Sequence, residues 1–130
     1  MRRLLDTNAY AALKRGDLRV AELVRASSEL VLSMVVVGEL LFGFRNGTCF
    51  ERNAKQLDEF LAIDRVSVLP VTRTTADRFG RSAAALRKAG TPIPSNDIWI
   101  AAHAFESSAE LLTFDGHFAT VPGLVWTHLS

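Results

Sequence analysis

Asp6, Glu39, Asp97 and Asp115 are the residues of this 130-residue chain whose type and placement point to chemistry. Asp6 ends the short apolar run Arg2–Leu5 and is followed at once by helix-forming residues, which reads as a central strand exposing an acid at its carboxyl end. Asp115 stands in the same relation to Leu111–Phe114. Glu39 falls early in a helix that follows a second strand, and Asp97 lies in the first turn of a helix opened by a proline loop. Each acid alone has an ordinary explanation, as a turn residue or as a complement to a helix dipole. Together they do not, because carboxylates about 4 Å apart repel by about 4 kcal/mol per pair at an effective dielectric near 20. A fold that assembles them needs a cation. Oxygen donors without Cys or His partners select Mg²⁺ or Mn²⁺ over zinc, and the chemistry that suits such a site is attack of a cation-activated water on a phosphodiester.

The intervening sequence supplies the elements that would carry these acids. Asn8 is a suitable cap for a helix over Ala9–Lys14, stopped by Gly16, and Asp17 caps Leu18–Ala26. Leu30–Ser33 reads as a strand. Val35–Phe44 carries three consecutive valines, yet Ser33 as a cap and Leu40 and Leu41 on the apolar side make it a helix. After the Asn46-Gly47 break, Phe50, Ala54, Leu57 and Leu61 mark an amphipathic helix from Cys49 or Phe50 to Ala62. Val66–Val71 alternates as a strand until Pro70 ends it, and a long helix from about Thr74 to Lys88 stops at Gly90. Two prolines make Thr91–Ser95 a loop that delivers Ser95 as the cap of a helix over Asn96–Glu106. Val125–Thr127 is a candidate edge strand. Strands alternating with helix pairs imply right-handed crossovers, and the expected fold is a three-layer α/β/α sandwich with a mainly parallel sheet of four to five strands.

Length and composition expect one domain over 1–130, without a linker, and the 48% hydrophobic and 22% charged residues exclude a disordered or membrane-embedded class. No apolar run is long enough for a bilayer and no signal segment opens the chain, so the expected location is the cytoplasm. The single cysteine, Cys49, excludes an internal disulfide and reads as a partly buried thiol. The formal charge of +1 is uninformative as it stands. If four of the 14 acidic residues are gathered in one pocket, the remainder is 15 basic against 10 acidic, or +5, a surface suited to a phosphate-bearing polymer.

Four segments, Leu4-Leu-Asp-Thr-Asn8, Val37-Gly-Glu-Leu-Leu-Phe-Gly43, Asn96-Asp-Ile-Trp-Ile-Ala-Ala-His-Ala104 and Leu111-Leu-Thr-Phe-Asp-Gly-His-Phe118, resemble in order and spacing the PIN-domain ribonucleases, and among them the VapC toxins of prokaryotic toxin–antitoxin pairs. The resemblance spans essentially the whole chain. It implies a Mg²⁺- or Mn²⁺-dependent endoribonuclease that inhibits translation and growth as the toxin of a type II system. It carries the family's acidic residues onto Asp6, Glu39, Asp97 and Asp115, and matches Thr7, Asn8 and Thr113 to polar positions that orient carboxylates or water. It further implies a homodimer and a cognate VapB-type antitoxin that covers the site, with DNA engaged only through the antitoxin. Phe42, Phe44 and Phe50 around the Asn46-Gly47 turn would make an interface patch if exposed together, or core if packed between two helices.

Among the other candidates, His103, six residues past Asp97, faces another side of its helix and reads as a structural histidine. His117 follows Asp115 closely enough to contact the crevice and reads as structural or orienting; His128 carries no signal. Asp58, Glu59 and Asp64 read as a solvated helix face. Arg45, Arg78, Arg81 and Lys88 are candidates for RNA phosphates or merely solubilising charges. A phosphoacceptor receiver domain would want adjacent acids after the first strand and a lysine after the last. A phosphotransferase of the haloacid-dehalogenase type would want an aspartate where Asn8 stands. The remaining alternative is a catalytically silent PIN-like module that only binds RNA or a partner.

Overall fold

The computed structural model describes residues 1–129. Five strands form one sheet: β1 (Arg2–Leu5), β2 (Glu29–Ser33), β3 (Val66–Leu69), β4 (Glu110–Thr113) and β5 (Trp126–His128). Their spatial order is β3-β2-β1-β4-β5, and every pairing is parallel. Helices α1 (Thr7–Lys14) and α2 (Leu18–Arg25) join β1 to β2, α3 (Met34–Arg45) and α4 (Phe50–Leu61) join β2 to β3, and α5 (Arg73–Lys88) and α6 (Ser95–Ser107) join β3 to β4. The first two crossovers step outward in one direction and the third steps back across β2 and β1. Right-handed connection therefore puts α1–α4 on one face and α5–α6 on the other. No helix among the described residues is long and apolar enough to cross a membrane.

β1 is the centre of this arrangement. Leu4 and Leu5 are fully buried, as are Leu111 and Leu112 on the neighbouring strand. Around them the core gathers Leu30, Val31 and Leu32 of β2, Val36 and Leu40 of α3, and Ile100 and Ala101 of α6. The valine run at 35–37 is helical because its apolar side is buried and because the Ser33 hydroxyl accepts from the Val35 amide at 3.1 Å. Helix α5 ends at Gly90, which takes φ +74°, and the Thr91 amide closes back on the Leu86 carbonyl at 3.0 Å.

The caps Asp17 and Ser33 and the start of α4 at Phe50 are as read in the sequence, whereas three other helix starts differ. The cap of α1 is Asp6, not Asn8: the Asp6 carboxylate accepts from the Ala9 amide at 2.9 Å, and Asn8 is already inside the helix and exposed. Ser95 is likewise the first residue of α6 rather than its cap, because Pro94 supplies the turn with its carbonyl accepting from Asp97 and Ile98. α5 begins at Arg73 through a capping box in which Thr72 and Thr75 bond reciprocally. β3 stops at Leu69, one residue before Pro70, and a short 3-10 helix, Gly116–Thr120, follows β4.

His103 is fully buried, with Nδ1 2.8 Å from the Ser33 hydroxyl and Nε2 3.0 Å from the Pro70 carbonyl. A carbonyl only accepts, so Nε2 bears the donated proton and the ring ties α6 to the ends of β2 and β3. This is the structural role expected of it. Tyr10, the chain's single tyrosine, is buried against Phe60 with ring centroids 5.3 Å apart. Burial pushes its hydroxyl up to about 12. The folded chain thus holds this proton more tightly than the unfolded chain, so the stability it contributes is complete below the ordinary value of 10.0 and is lost as pH climbs toward 12. A near-ultraviolet absorbance titration should show tyrosinate forming near 12 or together with unfolding; ionisation at 10 in a chain still folded would refute the burial.

Candidate active site

The strand order reverses direction at β1 and β4, the switch point of an open parallel sheet, and ligand crevices form there beyond the carboxyl ends of the strands. A cavity of about 460 Å³ lies at that place, lined by Asp6, Glu39, Asp97 and Asp115 together with Thr7, Asn8, Asn96 and Ile100. Four elements deliver the acids: β1 leads into Asp6, α3 carries Glu39, the first turn of α6 carries Asp97, and β4 leads into Asp115.

Asp6 is the anchored member. Leu5 is in register with Leu112, which brings Asp6 beside Thr113, and the fully buried Thr113 hydroxyl donates to Asp6 Oδ2. The same hydroxyl accepts from the Asp115 amide at 2.9 Å. Asp6 Oδ1 is held by the Ala9 amide at the start of α1, where the helix dipole favours a negative charge. Glu39 is held from both sides: Thr7 donates to Oε1 at 2.5 Å and Asn96 Nδ2 donates to Oε2 at 3.1 Å. Asp115 Oδ1 accepts from the His117 amide at 2.8 Å, which leaves Oδ2 directed at the His117 ring, 3.1 Å from Nδ1. Asp97 Oδ2 lies 3.5 Å from the same nitrogen.

This assembly costs free energy. Burial lifts the Asp6 carboxyl above its ordinary range; bonds from Thr113 and the Ala9 amide pull it back, and the charges of Asp97 and Asp115 add to the rise. Burial also lifts Asp97, the Asp115 and Glu39 carboxylates push it further, and the hydrogen bond and charge of His117 pull it back. Concentrated, partly desolvated carboxylates are a donor set for a hard divalent cation, so these residues fit such an ion. Asp97, Asp115 and His117 bring three donor atoms within 4.8 Å of one another.

The model of the PIN domain family matches residues 3–124. The chain belongs to the PIN-domain family. Ribonuclease VapC1 of Haemophilus influenzae (strain R2866) is 31% identical over 128 residues, covering 95% of this chain and 94% of that protein. The solved structure of VapBC-1 from nontypeable Haemophilus influenzae contains a chain similar at a TM-score of 0.85 and 30% identity, with 98% of each chain covered. A structure of DNA-bound VapBC from Salmonella typhimurium gives a TM-score of 0.85 at 26% identity, again over 98% of each chain. The PIN fold expected from the four motifs is therefore present over nearly the whole chain.

In this PIN domain, sequence reasoning missed the contact of Asn96 with Glu39, and it did not place His117 against two acids at once. The spacing of His117 from Asp115 pointed it to the crevice, but the contacts of Asn96 with Glu39 and of His117 with Asp97 left no trace, because they depend on how α6 approaches α3 and the 3-10 helix. Other expected features have local explanations. Arg45 lies over the Phe50 ring at 3.9 Å, Arg78 over Phe105 at 4.9 Å, and Arg81 pairs with Asp77 at 3.1 Å. Of the three phenylalanines, Phe42 is 69% exposed, whereas Phe44 packs against the core and Phe50 is half-buried, so the trio is not one patch.

Because the Asp97 proton is held more tightly in the folded chain, its contribution to stability is present at low pH and is lost as pH rises through the folded-state value. In chelator-treated protein, Asp97→Asn should raise the melting temperature by a few degrees at neutral pH, and the gain should shrink toward acid. An unchanged or lower melting temperature at neutral pH would contradict the electrostatic cost. Thr113→Val removes the hydroxyl that bridges the two strands at constant shape, and chemical denaturation should show a loss of about 1–3 kcal/mol, the usual penalty for unpairing buried polar groups.

Proposed function

We propose that this PIN domain is an endoribonuclease dependent on Mg²⁺ or Mn²⁺ that hydrolyses RNA phosphodiester bonds as the toxin of a type II toxin–antitoxin pair. Asp6, Glu39, Asp97 and Asp115 are its catalytic residues and hold the cation. The observation that carries this reading is the convergence of four acids from four elements on one cavity at the sheet's switch point, two of them with raised carboxyl values. The ribonuclease name of the VapC1 relative supports the substrate class.

Each residue has a definable task. Asp6, buried and twice hydrogen-bonded, is the fixed ligand at the floor of the cavity. Asp97 and Asp115 stand nearer solvent, with side chains 18% and 34% exposed, and complete the donor set where substrate enters. Glu39, oriented by Thr7 and Asn96, is a further ligand or the base that takes a proton from the attacking water. Thr7 and Thr113 orient the acids, and Asn8, exposed on the cavity rim, is available to phosphate or water. A divalent cation bound here would supply charge neutralisation for the phosphate and a lowered pKa for water.

The reading extends to partners. The VapBC complexes among similar structures support a VapB-type antitoxin for this chain, and the DNA-bound one supports DNA binding by such a complex, a contact the proposal gives to the antitoxin. A homodimer, acting as a single domain in the cytoplasm where its RNA would be met, completes the proposal, and exposed Phe42 is a residue that such an interface would cover.

Purified protein incubated with total RNA should cleave it with Mg²⁺ or Mn²⁺ present and not with chelator. Asp6→Asn and Asp97→Asn should each keep the fold and lose more than about 100-fold in cleavage rate, since even residues supporting a metal ligand are worth about 10- to 100-fold. Full activity of Asp97→Asn would overturn the assignment.

A further inference from the structure

Resting on the metal-holding role of the four acids, we propose that His117 is also a ligand, the one nitrogen donor of the site, and that it biases the site toward Mn²⁺ over Mg²⁺. Its Nδ1 lies 3.1 Å from Asp115 Oδ2 and 3.5 Å from Asp97 Oδ2. Neighbouring ligands of an octahedral ion with bonds of about 2.1 Å stand about 3 Å apart, which the Asp115 separation matches and the Asp97 separation slightly exceeds, and the three donor atoms all lie within 4.8 Å of one another. The chain fixes the convergence locally. Asp115 Oδ1 is occupied by the backbone N–H of His117, a turn that leaves Oδ2 and the imidazole pointing to the same spot, while α6 brings Asp97 to it from across the cavity.

Packing does not explain where this ring sits. The His117 side chain is 55% exposed, and the buried anchor of the 3-10 helix is its neighbour Phe118. The other two histidines are committed elsewhere: His103 uses both nitrogens on Ser33 and Pro70, and His128 Nε2 bonds the Phe114 carbonyl. The competing occupant of this spot is a proton: Nδ1–H donated toward both carboxylates, at 3.1 Å to Asp115 and 3.5 Å to Asp97, uses the same three atoms, so direct detection of nitrogen on a bound ion separates the two. A nitrogen donor matters for selectivity because Mg²⁺ demands oxygen and keeps its waters, whereas transition ions accept imidazole.

Untagged protein loaded with Mn²⁺ should show ¹⁴N modulation in pulsed electron paramagnetic resonance. The His117→Gln variant should lose that modulation and bind Mn²⁺ about tenfold more weakly by calorimetry, with Mg²⁺ affinity little changed. His117→Glu, which offers oxygen in the same place, should lose the modulation yet keep Mn²⁺ and gain Mg²⁺ affinity. Absence of ¹⁴N modulation in the Mn²⁺-loaded wild type, or its persistence in both variants, overturns the role of His117 alone. Absence of Mn²⁺ binding, or binding that Asp97→Asn does not weaken, overturns the metal-holding reading beneath it.

Discussion

The parallel register that sets Leu5 beside Leu112 is the constraint on which the acidic end of the molecule depends. It brings Asp6 against Thr113, residues 107 positions apart in the chain. A shift of one residue would turn Asp6 to the opposite face of the sheet and break the bond it accepts from the Thr113 hydroxyl. Leu4, Leu5, Leu111 and Leu112 enforce the register by being fully buried, each contributing about 1.5–3 kcal/mol of transfer free energy. Their sum exceeds the repulsion of about 4 kcal/mol expected of one close carboxylate pair. The apolar strands therefore hold in place charges that would otherwise separate.

Much of this was legible in the sequence, and the reason is topological. A strand that ends on an acid in a parallel sheet has only one rim at which to place it, so Asp6 and Asp115 converge once the alternation of strands and helices is recognised. Glu39 and Asp97 follow because helices that leave that rim begin there. What stayed hidden depends on side-chain geometry rather than periodicity. Asp6 and Asn8 are both good caps, and only the backbone at Asp6 decides between them. The 3-10 helix at Gly116–Thr120 is too short to show a period, so only the nearness of His117 to Asp115 was legible and its approach to Asp97 left no signature. Phe42, Phe44 and Phe50 look alike in sequence, and their different burial reflects how α3 turns against α4.

The site is also graded in depth. Asp6 is buried and held by two donors, whereas Asp97, Asp115 and Glu39 are only partly covered. The deepest carboxylate defines a fixed point, Glu39 is oriented by Thr7 and Asn96, and Asp97 and Asp115, nearer solvent, have more room to adjust around whatever is bound between them. That order is physically favourable, since a buried charge needs its hydrogen bonds built in, while a partly exposed one retains water as a partner.

Two buried hydroxyls organise the four acid-bearing elements in pairs. Thr113, at the end of β4, joins the Asp6 carboxylate to the Asp115 amide. Ser33, at the end of β2, starts α3 through the Val35 amide and meets His103 of α6, so it links the helix carrying Glu39 to the helix carrying Asp97. Both residues are fully buried. A hydroxyl suits these positions because it donates once and accepts as well, which satisfies two neighbours without adding charge near carboxylates whose values are raised by burial first and by one another second. A lysine or arginine in place of Thr113 would neutralise the site from within and compete with a cation for the Asp6 oxygens. Neutral bridges hold the acids in position and leave their negative charge available to a ligand.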